Sequence, residues 1–154
     1  MRHPSLVRLS HDHHHGLALA LRCRKQALGQ IKPMGVAGLK ERAEEILNFF
    51  RNNLAAHFRA EEAILFPYMR AHVAGSEAMI EELVRQHEQL SQAIAQIEKG
   101  VGLAKLIFDL GDLLERHIRK EERELFPLFE ASVKSDDAER IGEELICSLD
   151  RPAG

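Results

Sequence analysis

The sequence lacks most features that mark secreted, membrane or disulfide-bonded proteins. It contains no tryptophan, one tyrosine and two cysteines in 154 residues. Cys23 and Cys147 lie far apart and match no metal-binding or redox spacing, so we interpret both as reduced thiols. No stretch approaches the ~18 apolar residues of a membrane-spanning helix, and residues 1–10 lack the apolar run of a signal peptide. We therefore predict a cytoplasmic protein without membrane association.

The sequence also lacks the signals of several common functions. The net charge is only −3, and lysine and arginine are spread along the chain, which disfavours nucleic acid as a partner. The basic segment RCRKQ, which begins at Arg22, is more simply a solvated helix face. No G-x-S-x-G, P-loop or G-x-G-x-x-G motif is present. Hydrolases and nucleotide-binding proteins that carry these motifs are therefore disfavoured.

Helical periodicity dominates the sequence. Apolar residues follow a spacing of three and four, without an alternating strand pattern, which predicts an all-α protein. Proline and glycine separate the segments that we predict as helices, which are residues 4–28, 39–66, 76–98, 103–126 and 136–149. Four long helices with short connections predict an up-down-up-down four-helix bundle, with a short fifth helix capped by Ser135-Asp136-Asp137. Residues 1–154 are expected to form one domain.

An eleven-residue segment occurs twice, sixty residues apart. HFRAEEAILFP begins at His57 and HIRKEERELFP begins at His117. The shared positions are the histidine, the arginine, both glutamates and the closing Leu-Phe-Pro. Pro67 and Pro127 are expected to break or kink the chain after each copy.

Each copy continues a row of core-facing side chains. In the second helix the row is Leu47, Phe50, Leu54, His57 and Glu61. In the fourth helix it is Ile107, Leu110, Leu114, His117 and Glu121. Histidine and glutamate are costly to bury on an apolar face unless they are paired or bind a metal. The neighbouring Glu62 and Glu122 lie about 100° round the helix and are expected to face solvent or to support the ligands.

The other two helices carry histidine at the same depth. In an up-down bundle the second and fourth helices run parallel, and each repeat histidine lies ten residues before its proline. The third helix has His87 at this level. The first has HDHHHGL, in which His13 extends the apolar row and is preferred, while His14 is a close alternative. The histidines that we expect to face solvent are His3, His11, His15 and His72.

Four histidines and two glutamates on four facing helices indicate a metal site. Two carboxylates that can bridge, flanked by imidazoles, suit a pair of iron or manganese ions better than one zinc ion, which four ligands normally satisfy. The alternative is a metal-free bundle in which the same groups form a buried hydrogen-bond network. We favour the metal site because two copies of the His-Glu pair lie at matching depth.

At these residues the sequence resembles the hemerythrin-like family, also called HHE cation-binding domains. The resemblance covers roughly residues 5–130 and rests on the two repeats, on RQHEQL around His87, and on the first-helix histidine. It implies a non-haem diiron centre. The terminal iron ligands that it implies are His13 (or His14), His57, His87 and His117. By the same resemblance Glu61 and Glu121 would bridge the two irons.

One departure from the family pattern bears on function. Oxygen-carrying hemerythrins have a further histidine one turn before the third-helix ligand, where this chain has Leu83, and Ser91 stands one turn after His87. The ligands present would leave a position open on both irons, unless His14 also binds. This favours binding or reduction of a small oxidant (oxygen, nitric oxide or peroxide) over reversible oxygen carriage, although catalysis itself stays open. The alternative is an iron-handling or redox-sensing module that acts through a partner protein.

Overall fold

The computed structural model describes residues 1–151, and every regular element in that range is a helix. Helix α1 is Val7–Ala27, preceded by a single 3₁₀ turn at Pro4–Leu6. Helix α2 spans residues 35–72, α3 is Glu77–Glu98, α4 spans residues 103–132, and α5 is Ser135–Leu149. The predicted all-α class is therefore confirmed. Within the described residues, no helix has the length and apolar content required to cross a membrane.

Contacts between neighbouring helices establish the up-down-up-down arrangement. His13 on α1 faces Glu121 on α4, with 2.8 Å between Nε2 and Oε1, while the later Arg24 reaches the earlier Glu115 at 2.6 Å. Helices α1 and α4 therefore run antiparallel. The pairs between α1 and α2, α2 and α3, and α3 and α4 follow the same rule. This confirms the predicted bundle, with α2 parallel to α4.

Two apolar clusters fill the bundle, one on each side of the level of the repeat histidines. The first includes Leu19, Ile46, Leu54, Leu90, Ile107 and Leu114. The second includes Leu6, Leu9, Leu65, Phe66, Leu83, Phe126, Ile141 and Leu145. The last two residues belong to α5, so the short fifth helix completes the second cluster. Burial of these side chains supplies the main driving force for the fold.

Helices α2 and α4 continue past their prolines, so the predicted ends at Phe66 and Phe126 are wrong. A π-helical turn ends two residues before each proline, at Glu61–Leu65 and Glu121–Leu125. Proline has no N–H, and its ring would collide with the carbonyl four residues earlier in a regular α-helix. Because the π turn widens the helix at this point, each proline enters in the first turn of the next α-helical segment and is tolerated there.

A further π-helical turn, Phe50–Leu54, occurs in α2 alone. It inserts one extra residue into the turn and shifts the buried face of the preceding segment, so Ile46 and Arg42 point inward. Phe50 was expected in the core row but is only partly buried. The corresponding stretch of α4 is regular, and Leu110 there is buried as predicted.

Two predicted helix starts are corrected by the structure. Helix α2 begins at Gly35, ahead of the expected Leu39. Helix α5 begins at Ser135, and its N-cap residue is Lys134, which makes no side-chain capping bond. The predicted cap is therefore wrong. The two aspartates instead lie in the first turn, where their negative charges interact favourably with the positive end of the helix dipole and stabilise the helix.

Glycine allows α1 and α4 to approach closely. A Cβ atom built on Gly111 would lie 2.8 Å from the backbone oxygen of Ala20 and 3.0 Å from Cβ of Cys23. A Cβ on Gly16 would instead meet Cδ1 of Ile118 at 2.7 Å, the far end of a flexible side chain. The first position has no room for a methyl group unless the backbones separate, whereas the second needs only a side-chain rotation.

We expect Gly111→Ala to lower the free energy of unfolding by roughly 1–3 kcal/mol, because the helices must move apart. Gly16→Ala is the matched control on the facing helix. It should be nearly neutral, because alanine also favours helix by roughly 0.5–1 kcal/mol over glycine. Denaturant or thermal unfolding of the two variants measures the difference. A loss for Gly111→Ala no larger than that for Gly16→Ala would contradict the close packing.

Candidate metal centre

All four bundle helices contribute to one buried polar layer. Helix α1 contributes His13 and α3 contributes His87, while α2 and α4 each contribute a His-Glu pair. The members are His13, His57, Glu61, His87, His117 and Glu121, none more than 3% exposed. The structure thus brings together these six of the seven residues that we selected from the sequence. The seventh, His14, is exposed and lies outside the cluster, beside a surface cavity.

The six residues form two overlapping groups. One group is His13, His57, Glu61 and Glu121, and the other is Glu61, His87, His117 and Glu121. Within each group the potential ligand atoms lie within 4.8 Å of one another. The two glutamates belong to both groups, while each histidine belongs to one. This is the arrangement expected for two adjacent cations that share carboxylates.

The glutamates lie between imidazoles of the two groups. Oε1 of Glu121 is 2.8 Å from Nε2 of His13 and 3.7 Å from Nε2 of His117. Glu61 lies 3.4 Å from Nε2 of His57 and 3.1 Å from Nε2 of His87. Each carboxylate therefore contacts histidines from both groups, and all four Nε2 atoms point into the same space.

Several of these inward atoms have no hydrogen-bond partner among the described residues. They are Oε2 of Glu61, Oε2 of Glu121 and Nε2 of His117. An unsatisfied buried polar atom costs roughly 1–3 kcal/mol, and more where it carries charge. Carboxylate oxygens and imidazole nitrogens are also the donors that iron, manganese and zinc accept. The residues present therefore suit metal binding better than a closed hydrogen-bond network, because such a network leaves these atoms without partners.

Two carboxylates hold the outer ring nitrogens of His13 and His87. Nδ1 of His13 donates to Glu122 at 2.6 Å, and Nδ1 of His87 donates to Glu62 at 2.8 Å. Each outer glutamate follows an inner one in sequence. Two consecutive glutamates therefore contact the two ring nitrogens of one imidazole, the inner at Nε2 and the outer at Nδ1. The expectation that Glu62 and Glu122 face solvent or support ligands is resolved in favour of support.

The other two histidines have outer partners that sequence reasoning missed. Nδ1 of His57 donates to Asp12 at 3.0 Å, and Nδ1 of His117 donates to the amide oxygen of Gln86 at 2.7 Å. Such acceptors fix the orientation of a ligand imidazole and raise its basicity. The available signal was adjacency: Asp12 precedes His13, and Gln86 precedes His87.

The π turns begin at the two inner glutamates. Glu61 and Glu121 are the first residues of these turns. The backbone carbonyl of each accepts a hydrogen bond from the backbone N–H of the phenylalanine five residues later. The helices are therefore widened at the level of the cluster. Isolated π turns are frequent at functional sites, where they re-aim side chains. The repeated segment encodes this turn together with the ligands.

Aromatic rings restrict the imidazoles from the side. Phe58 stacks on His87 with 3.9 Å between ring centroids, and Phe66 stacks on the same ring at 5.7 Å. Phe126 stacks on His13 at 5.4 Å. These contacts limit rotation of the histidines and shield the polar layer with apolar surface.

Charge within the cluster sets the protonation of its members. Burial alone would lower the pKa of His57, but Glu61, Asp12 and Glu121 together raise it well above the usual value. Burial likewise opposes ionisation of Glu61, yet His57 and the other imidazoles hold its pKa well below the usual range. Burial lowers the pKa of His117 to about 3, which keeps this imidazole neutral.

Two cavities approach the layer from opposite sides. One of about 600 Å³ is lined by Phe50, Phe58, Glu62, His87 and other residues of α2 and α3. The other, of about 440 Å³, reaches Ser10 and Glu122 on the side of α1 and α4. Only the first touches a member of the cluster, because His87 forms part of its wall.

A four-helix bundle with a buried layer of histidine and carboxylate that can hold metal defines the class of this protein. Residues 5–129 match the hemerythrin HHE cation binding domain, and the chain belongs to this family. The match confirms the resemblance carried by the repeats. No curated protein and no solved structure matches the chain.

We expect metal affinity to weaken as pH falls, beginning above ~6.5, the ordinary pKa of histidine. Burial lowers the pKa values of His13, His57 and His87, but the facing carboxylates raise them above the ordinary value. These imidazoles therefore hold protons that a cation must displace. His117 should release none. Mn²⁺ titrations between about pH 8.5 and 5.5 measure the dependence. His72→Gln, at an exposed histidine, should leave the profile unchanged. A constant affinity down to pH ~6.5 would contradict the raised pKa values.

Proposed function

We propose that this protein holds two non-haem iron ions and binds or reduces a small oxidant, such as oxygen, nitric oxide or peroxide. The observation that supports it is the sharing of Glu61 and Glu121 by two groups of four ligands. Two separate mononuclear sites would not use the same carboxylates. Six residues suffice here because two of them serve both positions.

In this proposal the imidazoles are terminal ligands and the carboxylates are bridges. His13 and His57 belong to one position, and His87 and His117 belong to the other. His14 has no role, because it faces away from the cluster. Each position would then be offered two imidazoles and a carboxylate oxygen from each glutamate. Solvent-derived ligands and an incoming oxidant would complete the coordination.

The donor set favours iron, with manganese as the alternative. Zinc sites normally close with four protein ligands, often including thiolate. Here both cysteines lie outside the cluster, and the shared carboxylates suit harder ions with more than four ligands. Helix-borne glutamates and histidines in a bundle are the usual ligands of paired iron or manganese ions.

The chain itself provides orientation and exclusion of water. Two iron ions bound in this setting would supply up to two electrons to a small oxidant, and an external reductant would restore them. The outer acceptors of the histidines keep every Nε2 directed inward, so metal binding needs little rearrangement. Leu9 and Leu83 each lie one turn before a histidine of the cluster and are fully buried. They keep the polar layer apolar on the side of the second apolar cluster.

We expect about two iron ions per chain after anaerobic loading, measured by elemental analysis of the desalted protein. Glu61→Ala and Glu121→Ala should each abolish the paired-metal absorption in air, because a bridge serves both ions. Glu81→Ala removes an exposed carboxylate from α3 and is the control. Metal loading should also raise the melting temperature, since it relieves buried charge. Saturation at one ion per chain would refute the dinuclear centre.

We expect Leu83→His to slow turnover of peroxide or nitric oxide by the iron-loaded protein, because a new imidazole one turn before His87 would occupy an open position. Ile80→His places histidine at an equally buried site one turn further away and is the control. Each variant should lose ~1–3 kcal/mol without metal, as a buried polar group lacks a partner. Iron should restore stability only in Leu83→His.

Two results would change the proposed function. Unchanged turnover in a Leu83→His variant whose added imidazole binds iron would refute the open-position argument. An iron-loaded wild-type protein that changes its spectrum with an oxidant but shows no turnover with reductant would favour the sensing or iron-handling alternative.

A further inference from the structure

The metal layer has an approximate internal symmetry that relates α1 to α3 and α2 to α4. His13 corresponds to His87, since Nδ1 of each donates to an outer glutamate of the repeat. His57 corresponds to His117, since Nδ1 of each donates to the residue that precedes the cluster histidine of a neighbouring helix (Asp12 before His13, Gln86 before His87). The two metal positions are therefore built on one plan, and any departure from it distinguishes them.

The departure is a difference in charge. The residue behind His57 is Asp12, a carboxylate, whereas the residue behind His117 is Gln86, a neutral amide. The position of His13 and His57 is thus backed by two carboxylates, and the position of His87 and His117 by one. A carboxylate behind an imidazole makes it a stronger donor and attracts the cation directly. The first position should hold a divalent ion more tightly.

The outer carboxylates also differ in how firmly they are held. Glu122, behind His13, accepts from the Ser10 hydroxyl at 2.6 Å and from Arg2 at 3.2 Å. Asp12 lies 3.5 Å from the side-chain amide of Asn53. Glu62, behind His87, has a side chain that is 45% exposed, and His87 is its one hydrogen-bond partner among the described residues. Its support of the ligand is correspondingly weaker.

The two metal positions also differ in their access to solvent. The cavity of about 600 Å³ between α2 and α3 has His87 and Glu62 in its wall. On the opposite side the cavity stops at Ser10 and Glu122, and His13 is not part of its lining. An ion held by His87 and His117 has the shorter path to water.

We propose that the two metal positions fill and empty in a fixed order, set by Asp12 and Gln86. The position of His13 and His57 fills first and retains its ion, while the position of His87 and His117 fills second and exchanges. This order rests on the proposed two-metal centre and makes Asp12 and Gln86 positioning residues, since they act through histidines. The protein would then exist in a stable one-metal state as well as a two-metal state.

Anaerobic titration of the metal-free protein with Co²⁺ tests the order, since the visible absorption of Co²⁺ reports each binding step. The wild type should show two steps. Asp12→Asn keeps an acceptor for Nδ1 of His57 but removes the charge, and should weaken the first step about 10–100-fold. Gln86→Glu adds a charge behind His117 and should tighten the second step by a similar factor. Asp109→Asn, at an exposed residue of α4, is the control for lost charge.

Release to an excess of chelator gives an independent readout. One equivalent of Co²⁺ should leave the wild type quickly and the second slowly, and Gln86→Glu should slow the quick phase. If Asp12→Asn does not fold, the Gln86→Glu titration and release decide the order alone. Two ions that bind in one step, or an Asp12→Asn effect confined to the second step, would overturn the order while leaving the two-metal centre intact. Saturation at one ion per chain would overturn both.

Discussion

Two carboxylates and four imidazoles buried at the centre of an apolar bundle are the constraint on which the rest of the structure depends. Glu61 and Glu121 are fully buried, so their charges are stable only beside groups that can offset them. The histidines do so in part, but unpartnered oxygens remain. A bound cation would offset the charge of the whole layer at once, and metal binding would then contribute to the folding energetics of this chain.

Much of the sequence can be understood as accommodation of this layer. Each repeat supplies an inner His-Glu pair, an outer glutamate, a π turn and a proline that the π turn makes tolerable. Apolar clusters lie on either side, and α5 completes the second of them. Phe58, which follows His57, and the phenylalanines near the end of each repeat pack against the imidazoles of His87 and His13. The buried polar cluster and the scaffold around it are therefore encoded largely in the same short segments.

Periodicity predicted the bundle and the repeats predicted the cluster, because both depend on spacing within one helix. Asp12 and Gln86 were not predicted, since their role depends on which side chain faces them from a neighbouring helix. The ends of α2 and α4 were misplaced for a different reason. Proline normally stops a helix, and the π turn that overrides this rule has no simple signature in sequence. The buried arginine Arg42 was likewise hidden by the register shift at Phe50–Leu54.

The outer hydrogen bonds of the four histidines have a consequence for helix alignment. Apolar faces alone permit neighbouring helices to slide by one turn, about 5.4 Å, with modest loss of contact. In this bundle such a slip would separate Asp12 from His57, Gln86 from His117, and both outer glutamates from their imidazoles. These four bonds link α1 to α2, α2 to α3, α3 to α4 and α4 to α1, so each pair of neighbouring helices is held in axial register by a side-chain hydrogen bond.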